Sequence, residues 1–259
     1  MCSRQAEAEI VPDTTDDAVL GGRLKLLQPA RGHRAGHDAI LLAAAAPNAR
    51  HAVDLGAGVG TAGLALLARA AAEKVTLVEI DPALAQLARA NIERNAFAER
   101  ASVVVADVAR LGRKGGPRQP RAGAADLVLA NPPFNDPARR KSSPDSARQR
   151  AHAAEDATLE IWTHAADRLL KSGGSFVLIH RPEALAAILD ALEGRFGAAE
   201  LIPIHPKPEA PAIRLIVRAI KGRRTPPALR PGLVLADAVG KPSPEAEAIL
   251  GDAGSLEPT

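Results

Sequence analysis

The chain has 259 residues, 46% of them apolar, a formal net charge of +3 and few aromatics (four Phe, one Trp, no Tyr). That size and apolar content suit one large α/β domain, or one with a small appendage, and exclude a disordered chain. The single Cys2 excludes an internal disulfide framework and a cysteine zinc site; no metal is expected, no apolar run nears the ~20 residues of a membrane span, and a soluble cytoplasmic protein follows.

In chain order, Arg23–Gln28 reads as a short strand and His37–Ala46 as a helix with Asp38 in its first turn. Residues 1–50 are too few for an independent domain and are expected as an extension packed on the sheet. From residue 51 to 222 strand-like and helix-like segments alternate, the pattern of a parallel sheet with helices on both faces. Strands are predicted at Ala52–Leu55, Val75–Ile80, Ser102–Ala106, Asp126–Ala130 and Ser175–His180. Helices fall near Thr61–Ala72, Pro82–Asn95, Glu155–Lys171 and Pro182–Glu193. Then Ala199–Ile204 and Ile213–Ile220 follow each other with only HPKPEAP between them, so they should close the sheet as an antiparallel hairpin. The expectation is α/β, about seven strands, mostly parallel. After a Pro-rich spacer, the 223–259 tail carries a short helix near Pro244–Leu250, with Ser243 at its N-cap and Gly251 just past its end.

Val53–Gly60 reads VDLGAGVG between the first strand and first helix of the alternating unit. Glycines there allow a sharp turn and a close approach to a ligand, and the helix start offers N–H donors. Gly56, Gly58 and Gly60 are the candidate cofactor contacts. Gly58, Gly60 and Gly63 also satisfy the dinucleotide pattern G-x-G-x-x-G, so the loop alone separates neither a nicotinamide enzyme from a methyltransferase. Glu79 ends the next strand, where a carboxylate accepts ribose hydroxyls. Asp107 ends VVVAD, which is less expected of a dehydrogenase; in adenosylmethionine sites an acid there faces the adenine amine. Asp54 can hold the loop, and Ile80 and Val108 adjoin the two acids. Successive strand ends bearing acids favour a nucleoside cofactor.

Asn131–Phe134 reads NPPF and follows the fourth strand, on the same sheet edge as the glycine loop. An exocyclic base amine is a poor nucleophile because its lone pair is delocalised into the ring. Two acceptors aimed at its N–H bonds, the Asn131 side-chain oxygen and the Pro132 carbonyl, favour the pyramidal form. Two prolines fix that carbonyl's direction, and Phe134 can stack on a flipped base, a contact worth ~1–3 kcal/mol. The motif resembles the (N/D)PP(Y/F/W) signature of class I amino-methyltransferases. That resemblance implies a Rossmann-like class I methyltransferase fold with S-adenosyl-L-methionine as cofactor.

The segment RLKLLQPARGHRAGHDAILLAAA resembles the N-terminal signature of the tRNA1(Val) (adenine-N6) methyltransferase family through Gln28, Pro29, Gly32, His33, Arg34, Asp38 and Ala39. By that resemblance the first fifty residues close over the cofactor, with Arg34 and Asp38 as contacts. The implied reaction is N6-methylation of the adenine next to the anticodon of a valine tRNA. Phe134 stands where the family often has Tyr. Guanine-N2 enzymes of rRNA and glutamine-N5 enzymes of proteins also carry NPP motifs and remain alternatives.

Two loops are basic. ARLGRKGGPRQPRAGAA (109–125) holds five Lys or Arg and no acid. The stretch after NPPF carries Arg139, Arg140, Lys141, Arg148 and Arg150, which would hold phosphates beside the amine cup. KGRR at 221–224 is a third cluster, and it and the first loop read equally well as solvated surface. Trp162 reads as core. An NAD(P) oxidoreductase lacks a convincing acid–base partner at a strand end, and a bare nucleotide-binding module would have no use for Asn131.

Overall fold

Five apolar runs, among them VTLVE, SVVV and DLVLA, lie side by side in one parallel array, the inner ones buried on both faces as such runs require and SVVV partly exposed at the edge. The structure is a computed structural model that describes residues 13–31, 36–133 and 146–256, and of 146–156 the main chain only. The first elements are an antiparallel hairpin, β1 (Thr14–Val19) and β2 (Leu24–Pro29), and α1 (His37–Ala44). The alternating unit comprises β3 (Ala49–Leu55), α2 (Thr61–Ala68), β4 (Ala72–Glu79), α3 (Pro82–Arg94), β5 (Ala101–Val105), β6 (Ala125–Ala130), α4 (Ser146–Leu169), β7 (Leu170–His180) and α5 (Leu185–Leu192). It is followed by β8 (Phe196–His205), β9 (Arg214–Lys221), the two-residue strands β10 (Ala228–Leu229) and β11 (Leu233–Val234), and α6 (Pro244–Leu250).

The sheet runs β10–β8–β9–β7–β6–β3–β4–β5, with β11 also on β8. Strand β9 slots antiparallel between β7 and β8, so the expected terminal hairpin is present. Among the described residues the sheet has nine strands, not about seven. The two additions come from the Pro-rich spacer, where two-residue strands leave no alternation to read. They pair in parallel with β8 and cover what would otherwise be an open edge.

Two apolar layers flank the sheet. Leu127, Leu129, Val177 and Ile179 pack toward α1, α2 and α6, while Val128, Ala130, Phe176 and Leu178 pack toward α4 and α5. Helix α2 stops at Ala68, four residues short of expectation, because Ala70 turns the chain with φ +55° and β4 already begins at Ala72. Helix α4 starts earlier than expected, at Ser146.

The β1–β2 hairpin is tied to α3 by two asparagines one turn apart. Asn91 Oδ1 accepts from Leu27 N at 2.7 Å, and Asn95 Oδ1 from Lys25 N at 2.9 Å. Their amide groups donate back to Leu27 O and Lys25 O. The two side chains thus pair with β2 as a neighbouring strand would. The tail is built into the same body: Ile249 and Leu256 enter the α1-side core, and Leu256 N donates to Ala44 O. No helix among the described residues is long and apolar enough to cross a membrane, and no cluster of metal-ligating side chains occurs among them.

Candidate active site

Because β3 to β7 run parallel, their carboxyl ends share one edge, and register fixes what meets there. Leu55 pairs with Val78 and with Ala130, so the next residues, Gly56, Glu79 and Asn131, lie on adjacent strand ends. Glu79 pairs with Val105, which places Asp107 two residues beyond.

The glycine loop is held from three sides. Glu79 Oε2 accepts from Gly58 N at 2.7 Å, and its Oε1 accepts from Ile80 N and Asp81 N. Three of a carboxylate's roughly four acceptor positions are thereby filled from within the chain, leaving about one for a ribose hydroxyl. Asn91, fully buried, donates to Val59 O at 3.0 Å as well as to Leu27 O. One amide thus joins the loop, α3 and the N-terminal hairpin. Beneath the loop lies Trp162 of α4: a Cβ on Gly56, whose φ is +60°, would come within 2.3 Å of its Cη2. Gly63 allows the other close approach, since a Cβ there would meet Leu77 at 2.4 Å and push α2 off β4.

Asp54 is buried on the α2 side and accepts from Gly63 N at 2.8 Å. Burial pushes its carboxyl up to about 7; the Gly63 N–H opposes the rise, and the charge of Glu79 adds to it. Asp107 is exposed and caps the turn Val108–Arg110 by accepting from Ala109 N at 2.8 Å. The Val108 side chain is buried toward α4, so only its main chain can face the cleft. Ile80, by contrast, is 63% exposed, an apolar side chain directly after Glu79 at this edge. Asn131 is half-buried, Pro132 buried and Pro133 exposed, so one ring anchors the turn.

Of the other expected site residues, Asp38 forms an ion pair with Arg214 Nε at 2.8 Å, joining α1 to the start of β9. Arg34, Phe134, Arg139, Arg140 and Lys141 lie outside the described residues, as do the side chains of Arg148 and Arg150. Asn91 escaped the sequence reading, and Trp162, expected in the core, does pack against the α4-side layer but also supports the glycine loop. An Asn on the buried face of PALAQLARANIER was the signal for Asn91, and for the loop contact Trp162 gave none beyond its rarity.

Residues 35–207 match the methyltransferase small domain family, two thirds of the chain and all of the edge just described. The chain belongs to that family. It is an S-adenosylmethionine-dependent methyltransferase. The Yersinia pestis tRNA1(Val) (adenine(37)-N6)-methyltransferase is 30% identical over 191 residues, 71% of this chain and 73% of that one. A predicted O-methyltransferase of Agrobacterium tumefaciens is 31% identical, with a TM-score of 0.68 over 85% of this chain and 98% of that chain. The Thermus thermophilus 16S rRNA guanine-N2 methyltransferase, 21% identical with a TM-score of 0.53 over 84% of this chain and 53% of its own, shares the fold.

The methyltransferase's own geometry fits its donor. The exposed Ile80 would give an adenine a face, and Glu79, with three acceptor positions filled from within the chain, would keep one for a ribose hydroxyl. The open space above Gly58 is free for it, since a Cβ there would meet nothing within 4 Å. S-adenosylmethionine supplies a methyl group made electrophilic by its sulfonium.

Proposed function

We propose that this methyltransferase modifies the exocyclic N6 amine of an adenine in tRNA, the valine-tRNA adenine beside the anticodon being the specific substrate. The observation that carries the proposal is register: Asn131 follows Ala130 on β6 where Gly56 follows Leu55 on β3, so an Asn-Pro-Pro turn stands beside the donor loop. Asn131 Oδ1 and the Pro132 carbonyl accept from the two amine hydrogens, and the nitrogen lone pair turns toward the donor. The nitrogen would gain its bond to the methyl carbon as that carbon's bond to the sulfonium sulfur breaks, the electron pair leaving on sulfur as a neutral thioether; the surplus proton on nitrogen leaves to solvent afterwards, so no strong general base is needed. Phe134 stacks on the extruded base, whose unstacking costs a few kcal/mol in a duplex and less in a loop. Arg139, Arg140, Lys141, Arg148 and Arg150 hold the flanking phosphates. Residues 1–50, with Arg34 and Asp38, close over the donor bound by the 51–222 unit, while 223–259 braces α1.

The similarity to the Yersinia enzyme supports adenine in tRNA over the guanine and protein-amide alternatives. The test is incubation with labelled S-adenosylmethionine and, in parallel, total tRNA, rRNA and protein from a strain lacking the gene. Nucleoside mass spectrometry should find N6-methyladenosine in the tRNA. N2-methylguanosine in rRNA, or label in protein, would replace this assignment.

A further inference from the structure

The basic loop 109–125 and the basic KGRR cluster are far apart in sequence, yet the fold brings them to one face. The loop begins at the catalytic edge, where the turn Val108–Arg110 packs against α4, and returns to β6. Both of its ends are pinned at one residue of that helix: Arg168 Nε donates to Leu111 O at 2.7 Å, and Gly123 N donates to Arg168 O. Arg113 lies close enough to Arg168 to depress its basicity, second to burial. One turn up α4, His164 is held below its ordinary value by burial and by the charges of Arg195 and Arg168, with Glu160 and Asp167 opposing. Arg195 O in turn accepts from Gly222 N at 2.8 Å, so Arg223 and Arg224 continue the series.

Arg110, Arg113, Lys114, Arg195, Arg223 and Arg224 therefore gather around the last turns of α4, beside His164 and Arg168. Among the described side chains the acids on this face are in part engaged: Asp167 pairs with Lys221 at 3.3 Å and Glu160 with His164 at 3.7 Å, leaving Asp190 and Glu193. A group of cations that begins beside the turn Val108–Arg110 and continues to the end of β9 farthest from the catalytic edge suits the repeating phosphates of a structured polynucleotide.

We propose that this α4 face is a phosphate-binding track that carries the helical body of an RNA substrate whose extruded base enters the Asn-Pro-Pro cup. The inference rests on the RNA reading above and adds where the rest of the RNA lies. Contacts of this kind set affinity and orientation but read no sequence, so their signature is salt dependence.

The test combines Arg113→Gln, Lys114→Gln, Arg223→Gln and Arg224→Gln, all at exposed positions, and measures binding of an unmodified valine tRNA transcript from ~0.05 to 0.3 M salt. The expected result is affinity weakened about 10- to 100-fold at ~0.1 M salt, with the log–log salt slope smaller by about 3. S-adenosylmethionine affinity should be unchanged, which verifies folding. The Arg113/Lys114 and Arg223/Arg224 halves should each lose part of the slope. If wild type binds the transcript and the fourfold variant binds it with the same affinity and slope, the track is wrong and the adenine reading stands. If wild type fails to bind any tRNA and labels protein instead, both fall.

Discussion

Asp54 should make this fold less stable as pH rises through the range where most proteins gain stability. Its carboxyl goes from an ordinary 3.8 to about 7, chiefly through burial. Below about pH 4 it is protonated whether the chain is folded or not, and it costs nothing. Between pH 4 and 7 the unfolded chain gives up that proton while the folded one keeps it, so stability drains away at about 1.4 kcal/mol per pH unit. Above pH 7 the loss levels off at ~4 kcal/mol. Asp54→Asn keeps an oxygen for the Gly63 N–H and removes the titration. Urea unfolding of both proteins should show the variant's stability minus the wild type's growing by ~2–3 kcal/mol between pH 5 and 8. Any fixed cost of the amide cancels from that comparison, as does the titration of His51, whose burial holds it below its ordinary value. A difference that stays flat with pH would refute the argument. The same group links to function: an ionised Asp54 attracts the cationic donor, so donor affinity should tighten from pH 6 to 7.5 in the wild type and not in Asp54→Asn.

Four further substitutions test the site. Asn131→Ala should leave donor affinity within about twofold by calorimetry and lower kcat ~10²–10³-fold, the scale for losing one aimed polar group. Asn91→Leu strips Leu27 and Val59 of their partners and should cost ~2–4 kcal/mol in urea unfolding while weakening donor binding. Gly56→Ala forces a left-handed φ on a side chain and drives it into Trp162, so donor affinity should fall at least about tenfold in calorimetry. Gly58→Ala, with open space at its Cβ, should cost the fold less in the same urea series.

The parallel core was legible because each of its strands is an apolar run punctuated by Gly, Asp or Pro, and the chain-terminal hairpin because no helix separates its strands. The donor loop and the amine cup could be assigned to one edge from strand order alone. What escaped has a physical reason in each case. The run TTDDAV hides β1, because its aspartates are taken up by partners in the fold, Asp17 by Thr15 and Gln28 within the hairpin, and Asp16 by Arg94 of α3. ARAAAEK carries no period, so the end of α2 could not be placed. The roles of Asn91 and Trp162 depend on contacts between elements distant in sequence, which no local pattern encodes. Likewise the meeting of Asp38 with Arg214, 176 residues later, is a product of β9 inserting beside β7.

Trp162 has a consequence outside catalysis. In a chain without tyrosine it is the lone strong ultraviolet emitter, and it touches the loop that receives the donor. The protein thus carries an intrinsic optical gauge at its donor loop. Unlabelled titrations and stopped-flow traces of donor entry can be read directly from the wild-type chain, with every change in signal traceable to a single ring.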